Sequence, residues 1–283
     1  MSDVGFVGLG RMGFHMASHL VRAGFAVSAT DVSAEVRARA EAAGIPTVPG
    51  LDSMAGCGVV MSSLPTTAHV EDVYVSGLFP VLTRGTVCVD LSTISVDGSV
   101  GISAEAVAHG VTFLDAPVSG TSIHAEAGTL AIMVGGPAEA LERVRPMLDS
   151  FSAAVHHMGP NGAGLEMKLI TNRLLTAHVV AIGEAVLAME DAGLDVGACL
   201  ELLKAGAVPK LLDYKAPAMA TRDYSPLFTV ELMSKDLRLA AERRPAGQVT
   251  GDAVAVMLAA EAAGHGPEDI AAVMEVLARS SEP

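Results

Sequence analysis

The spacing of apolar residues changes character near residue 160. Before that point, short apolar runs alternate with stretches of helical period. Val4–Val7 reads as a strand, residues 12–23 as a helix stopped by Gly24, and residues 26–30 as a second strand. Residues 33–43 read as a helix with Ser33 as N-cap and Gly44 past its end. Further strands are predicted at Val59–Ser62, 86–90 and 111–116, with helical segments between them. This alternation predicts a parallel sheet covered on both faces. After the run Gly159, Pro160, Asn161, Gly162, Ala163, Gly164, one long helix is predicted over 165–192. About 28 residues would span roughly 42 Å, a length that suits a helix bridging domains or crossing a subunit interface. Only helical patterns follow, at Val196–Ala205, Val230–Arg243, 252–263 and 267–279. The last is predicted to open with Pro267 at its first position, ahead of Glu268 and Asp269. The expected division is an α/β domain at 1–160 and an all-α domain at 161–283 that opens with the long interdomain helix.

Charge and composition narrow the function. The chain has 283 residues, 18 Lys+Arg, 32 Asp+Glu and a formal net charge of −14. No lysine precedes Lys168; the five are Lys168, Lys204, Lys210, Lys215 and Lys235. Both parts of the chain are acidic, so no basic footprint for nucleic acid is present, and an anionic membrane surface would repel the protein. A hydrophobic fraction of 51% excludes a disordered chain. Cys57, Cys88 and Cys199 are far apart and odd in number, which fits neither a disulfide framework nor a zinc cluster. Residues 174–189 are interrupted by His178, Gly183 and Glu184, too polar for a membrane span. No basic segment precedes a long apolar stretch at the N-terminus. A soluble cytoplasmic protein is expected.

The clearest chemical motif is Gly8-Leu9-Gly10-Arg11-Met12-Gly13, which follows a strand and opens a helix. That is the context the dinucleotide fingerprint requires. Gly8 allows a tight turn, Gly10 lets the backbone approach a pyrophosphate, and Gly13 allows close helix–strand packing. Asp31 closes the second strand, where a carboxylate binds the adenosine ribose hydroxyls and repels a 2′-phosphate. NAD is therefore expected over NADP. The plainer alternative is a glycine-rich turn and an Asp that caps the helix at Ser33. Lys168 and Asn172 stand four apart, on one face of the long helix. An ammonium beside an amide can hold a substrate oxygen and exchange its proton during hydride transfer. Asp115-Ala116-Pro117-Val118-Ser119-Gly120-Thr121 is a third signal: the Ser119 hydroxyl and the Gly120 and Thr121 N–H groups would cradle a carboxylate.

These residues carry a resemblance. The chain resembles the β-hydroxyacid dehydrogenase family (3-hydroxyisobutyrate dehydrogenase, tartronate semialdehyde reductase and relatives). The matching segments run in order: 4–13, Ser63-Leu64-Pro65, Asp90-Leu91-Ser92-Thr93, 115–120, Gly128-Thr129-Leu130, 162–164 with Lys168 and Asn172, and Lys235-Asp236-Leu237. The resemblance implies a Rossmann domain, a long interdomain helix, and an all-α domain used in homodimer or homotetramer contacts. It implies Lys168 as catalytic acid/base and Asn172 as the amide that positions substrate. It implies Ser119 and Gly120 in the substrate-carboxylate loop, beside Thr121. It further implies Thr93 beside the nicotinamide, Leu64 and Pro65 as a backbone contact to the cofactor, and Lys235 as a cation from the second domain for substrate and cofactor.

Three positions depart from the family pattern. Thr121 stands where a second glycine is common, Thr171 where an asparagine precedes Asn172, and Val96 where proline follows the strand-end motif. They bear on substrate identity, which the sequence leaves open among 3-hydroxyisobutyrate, tartronate/glycerate and serine-like compounds. Two other readings stand beside this one: an imine-reducing relative on the same scaffold, against which Lys168 argues, and a dinucleotide-binding scaffold or sensor without catalysis. Other residues read blandly. His15 and His19 lack a third ligand, so no metal is expected. His156 and His157 suit a strand or loop end, the 14 methionines suit core filling, and Arg243 and Arg244 suit a solvated helix end.

Overall fold

Strand β1 (Val4–Val7) is buried along its whole length, as an all-apolar run needs when both sheet faces are covered. The structure, a computed structural model, describes residues 4–205 and 212–280. After β1 the chain runs through α1 (Gly13–Arg22), β2 (Val27–Thr30), α2 (Ala34–Ala42), β3 (Val59–Ser62) and α3 (Thr67–Glu71), which continues as a π turn over Asp72–Leu78. Then come β4 (Val87–Asp90), α4 (Val96–His109), β5 (Thr112–Asp115), β6 (Val118–Ser119), α5 (Ser122–Ala127), β7 (Leu130–Gly135), α6 (Ala138–Leu148) and β8 (Ser152–Gly159). Helix α7 (Ala163–Asp191) leads to α8 (Val196–Ala205), α9 (Leu212–Thr221), α10 (Val230–Arg243), α11 (Gln248–Ala260) and α12 (Val273–Ser280). The chain forms two compact units, Met1–Lys168 and Leu169–Pro283, so the start of α7 belongs to the first.

The sheet of the first unit has the order β2-β1-β3-β4-β5-β7-β6, with β8 beside β7. β1 to β5 pair in parallel, in continuous register. The expected parallel pattern holds over β1 to β5 and gives way beyond it, where β7 runs antiparallel to β5 and β6. The reason is chain length. β6 and β7 are joined by only the ten residues 120–129, whereas a parallel crossover needs a dozen or more residues. β8 returns parallel to β7, across α6. His156 and His157 lie in β8, opposite Met133 and Val134. The core under the sheet includes Phe6, Leu9, Met16, Leu20, Leu114 and Phe151.

The second unit is helical throughout its described residues. Its core includes Val179, Val186, Met219, Met233, Met257 and Met274. Methionine thus fills gaps between helices in a unit with few aromatic rings. One helix is new and one boundary changes. Helix α9 was not predicted, because Pro217 interrupts its pattern. The final helix begins not at Pro267 but with a 3₁₀ turn, Ile270–Ala272, capped by the Asp269 side chain. Asp269 also accepts N–H bonds from Leu227 and Phe228 and pairs with buried Lys215 at 2.6 Å. Tertiary partners therefore select Asp269 as the cap. No helix among the described residues is long and apolar enough to cross a membrane.

Candidate active site

The loop between β1 and α1 is shaped by its glycines. Gly8 has φ +91°, and a Cβ there would lie 2.3 Å from the Ser63 carbonyl oxygen. A Cβ on Gly13 would lie 2.0 Å from the Gly8 carbonyl oxygen, so helix and loop touch there. At Gly10 a Cβ would meet no protein atom within 4 Å. Packing therefore demands glycine at 8 and 13 but not at 10, where the loop backbone lies open. No side chain caps α1, and the positive end of its dipole suits a pyrophosphate. These features fit a dinucleotide.

Asp31 holds two backbone segments together. Its Oδ2 accepts the Leu9 N–H at 2.8 Å and its Oδ1 the Ser33 N–H at 2.9 Å. It thus ties the glycine loop to the start of α2, where Ser33 caps Val36. A carboxylate has about four lone-pair sites, so both oxygens can still accept from ribose hydroxyls. Arg37 donates to the Asp31 carbonyl, and Arg39 donates to the Leu9 carbonyl at 3.0 Å while lying over the Phe14 ring.

The loops after β3 and β4 are joined by a buried network that sequence reasoning missed. Asp90, 1% exposed, accepts Ser62 Oγ–H at 2.7 Å and Ser92 Oγ–H at 2.6 Å on one oxygen. Ser92 Oγ in turn accepts the Leu64 N–H at 2.8 Å, and Ser62 Oγ meets Tyr74 Oη at 2.9 Å. The backbone at Leu64, next to Pro65, is thereby tied to the segment that reaches Thr93. Burial pushes the Asp90 carboxyl up to about 6, although the bonds from Ser92 and Ser62 oppose the rise. Only the run Asp90-Leu91-Ser92-Thr93 hinted at this; its partner Ser62 lies 28 residues away.

The loop Ser119-Gly120-Thr121 turns at Gly120, with φ +128°. A Cβ on Gly120 would come within 2.9 Å of His124 Cβ and Leu130 Cδ2. Thr121 caps α5, and its N–H is donated to His124 Nδ1 at 3.2 Å. The three-donor cradle expected here therefore changes: the Thr121 N–H is already committed to His124. An N–H can only donate, so Nδ1 is the acceptor and His124 carries its proton on Nε2. The visible signal was the spacing of a capping box, with histidine in place of the usual Glu or Gln.

Lys168 lies on α7, buried at 8% exposure, one turn before Asn172. In the second unit, Asn172 donates Nδ2–H to Asp236 Oδ2 at 2.6 Å, and both residues are 2% exposed. Lys235 Nζ stands 3.0 Å from Asp236 Oδ1. Asp236 was visible as the middle of Lys235-Asp236-Leu237 but was given no role. Val96 is buried as the first residue of α4, and a Cβ built on Gly162 would lie 3.0 Å from its Cγ1. Among the described residues, no group of three or more His, Cys, Asp or Glu side chains is placed to hold a metal.

A parallel-dominated sheet with a glycine loop after its first strand, followed by a helical unit, defines the class of nicotinamide-dinucleotide oxidoreductases. Residues 3–159 match the family model of the NAD binding domain of 6-phosphogluconate dehydrogenase. Residues 162–277 match that of the NAD-binding region of NADP-dependent 3-hydroxyisobutyrate dehydrogenase. The chain is 37% identical to the NAD-dependent L-serine dehydrogenase of Pseudomonas aeruginosa over 86% of its length and 85% of the relative's. It is 35% identical to the 3-hydroxyisobutyrate dehydrogenase of the same organism, over 88% of each chain. A solved structure of Mycobacterium tuberculosis 3-hydroxyisobutyrate dehydrogenase with L-serine superposes with a TM-score of 0.87 at 32% identity, covering 98% of this chain and 99% of the other. The chain belongs to the β-hydroxyacid dehydrogenase family. It is a nicotinamide-dependent dehydrogenase of small hydroxy acids.

Proposed function

We propose that this dehydrogenase uses NAD to interconvert a small β-hydroxy acid and its semialdehyde, with Lys168 as general acid/base. The observation that carries the proposal is the burial of Lys168 one turn before Asn172, in a chain whose first 167 residues hold no lysine. Burying a lysine is costly, and a buried ammonium is readily tuned for proton transfer. Gly8, Leu9, Gly10, Arg11, Met12 and Gly13 would hold the pyrophosphate, Asp31 the adenosine ribose, and Leu64, Pro65 and Thr93 the nicotinamide side. The nicotinamide supplies a hydride acceptor or donor when bound.

In this reading Lys168 Nζ takes the hydroxyl proton during oxidation and returns it during reduction. Asn172 orients the reacting oxygen, its own amide fixed by Asp236. Ser119 Oγ and the Gly120 N–H receive the substrate carboxylate, Thr121 limits the space beside them, and Lys235 adds positive charge. Among the candidate acids, the relatives acting on L-serine and 3-hydroxyisobutyrate favour those two over tartronate/glycerate. A cytoplasmic homodimer or homotetramer is proposed as the working form, to be read by sedimentation equilibrium. Replacement Lys168→Ala should lower kcat by on the order of 10²–10⁴ with NADH binding retained. Activity near wild type on both acids would refute the assignment.

A further inference from the structure

We propose that Asp115 is a positioning residue that seats the helix carrying Lys168, a role resting on the proposed catalytic function of that lysine. Asp115 ends β5 and is 1% exposed. Its Oδ1 accepts the Gly162 N–H at 2.7 Å and its Oδ2 the Leu165 N–H at 3.1 Å. The first N–H groups of a helix have no partner within the helix. α7 begins at Ala163, and the residue before it is a glycine with no side chain to cap it. The cap is supplied instead from a strand end 47 residues earlier.

The surroundings are cut to this carboxylate. A Cβ on Gly135 would lie 2.6 Å from Asp115 Oδ1, and a Cβ on Gly164 would lie 2.9 Å from Oδ2 and 2.3 Å from the Met133 carbonyl. Gly162 takes φ +92°, a conformation that favours glycine. Asn161 adds a second tie, donating to the Phe113 carbonyl at 2.8 Å. The chain can therefore approach the strand end closely and turn directly into the helix. Burial pushes the Asp115 carboxyl up, while the N–H bonds from Gly162 and Leu165 pull it back.

The consequence for chemistry is geometric. Lys168 follows Leu165 by three residues and Gly164 by four, so it stands on the face above the capped turn. Helical side chains lean toward the N-terminus, which carries the Lys168 stem back toward the Asp115 end. The same strand end leads, four residues later, into Ser119. Asp115 thus holds the proton-transfer helix and the carboxylate loop to one rigid strand. A misplacement of about 1 Å can cost on the order of 10²-fold in rate.

The test is a double-mutant cycle on the full chain, with kcat on L-serine and 3-hydroxyisobutyrate and NADH affinity by fluorescence titration. Asp115→Asn keeps the shape but turns one acceptor into a donor facing N–H groups. It should lower kcat roughly 10–100-fold, with NADH affinity and substrate KM within about threefold of wild type. In a Lys168→Ala background it should cost nothing further, because it acts through that lysine. Undiminished kcat, equal loss of NADH affinity, or an additive loss in the Lys168→Ala background would each overturn the role. A full kcat in Lys168→Ala alone would instead sink the catalytic reading, and this inference with it. Should Asp115→Asn not fold, Asp115→Ser leaves room for water at the helix start and takes its place. If neither folds, the carboxylate is a folding requirement and the positioning role is refuted.

Discussion

Asn172 and Asp236 meet at 2.6 Å, an amide donor and a carboxylate each 2% exposed, on helices 64 residues apart in sequence. The bond fixes which way the Asn172 amide faces: its nitrogen is held by Asp236, and its oxygen is turned elsewhere. Hydrogen bonds to a charged group contribute about 1.5–3 kcal/mol, so the pair should be energetically coupled. A cycle of Asn172→Ala and Asp236→Ala, read by urea denaturation, should give a coupling energy in about that range. Strict additivity would show that the contact stabilises nothing.

The glycine loop separates fold from ligand. Gly10→Ala should leave stability unchanged within about 0.5 kcal/mol, the range for changes that meet no contact. It should nonetheless weaken NADH binding roughly tenfold or more, by about 1.4 kcal/mol. Gly13→Ala should instead destabilise the first unit, because its Cβ would overlap the Gly8 carbonyl. Thermal denaturation beside NADH titration separates the two outcomes.

Asp31 predicts the cofactor. Comparable kcat/KM with NAD and NADP would contradict the proposed preference. Asp31→Ser combined with Val32→Arg should move the preference toward NADP. The structure adds a cost: Asp31 also accepts the Leu9 and Ser33 N–H groups. Loss of such charge-assisted bonds, about 1.5–3 kcal/mol, should lower NAD efficiency roughly 10–100-fold before any gain with NADP appears.

Asp90 predicts a pH dependence of stability. Its folded carboxyl is raised from 3.8 to about 6, mainly by burial. The native state then binds the proton more tightly than the unfolded state. The associated stability is complete below about pH 4 and is lost as pH rises through about 6. Two units correspond to about 3 kcal/mol. Asp90→Asn keeps an acceptor for Ser62 and Ser92 but does not titrate. Denaturation at pH 4.5 and pH 7.5 should therefore show wild type losing about 2 kcal/mol of stability relative to the variant, the first third having gone by pH 4.5. Parallel behaviour of the two proteins would mean that Asp90 does not titrate in this range.

Most of the first unit is legible in the sequence. Strands such as Val59–Ser62 are short, apolar up to the closing serine and bounded by turn residues, so local pattern alone assigns them. Asp31, Lys168 and Asn172 stand out as candidates because helical and strand periodicity place them at element ends or on shared faces. β7 and β8 were missed, and β7 reverses direction, because strand pairing is decided by connection length rather than by the strand's own residues. Pro217 concealed α9 because a proline signals a break unless packing holds the helix around it.

The sequence by itself determined the class of cofactor, the order of the two domains and the candidate proton carrier, since each is a matter of short-range spacing. The tertiary structure decided what those groups do to one another. Asp90, Asp115 and Asp236 find their partners 28, 47 and 64 residues away, and His124 takes the Thr121 N–H that a linear reading assigned to a ligand. A buried carboxylate must be satisfied by whichever donors folding brings to it, and only the folded chain specifies them.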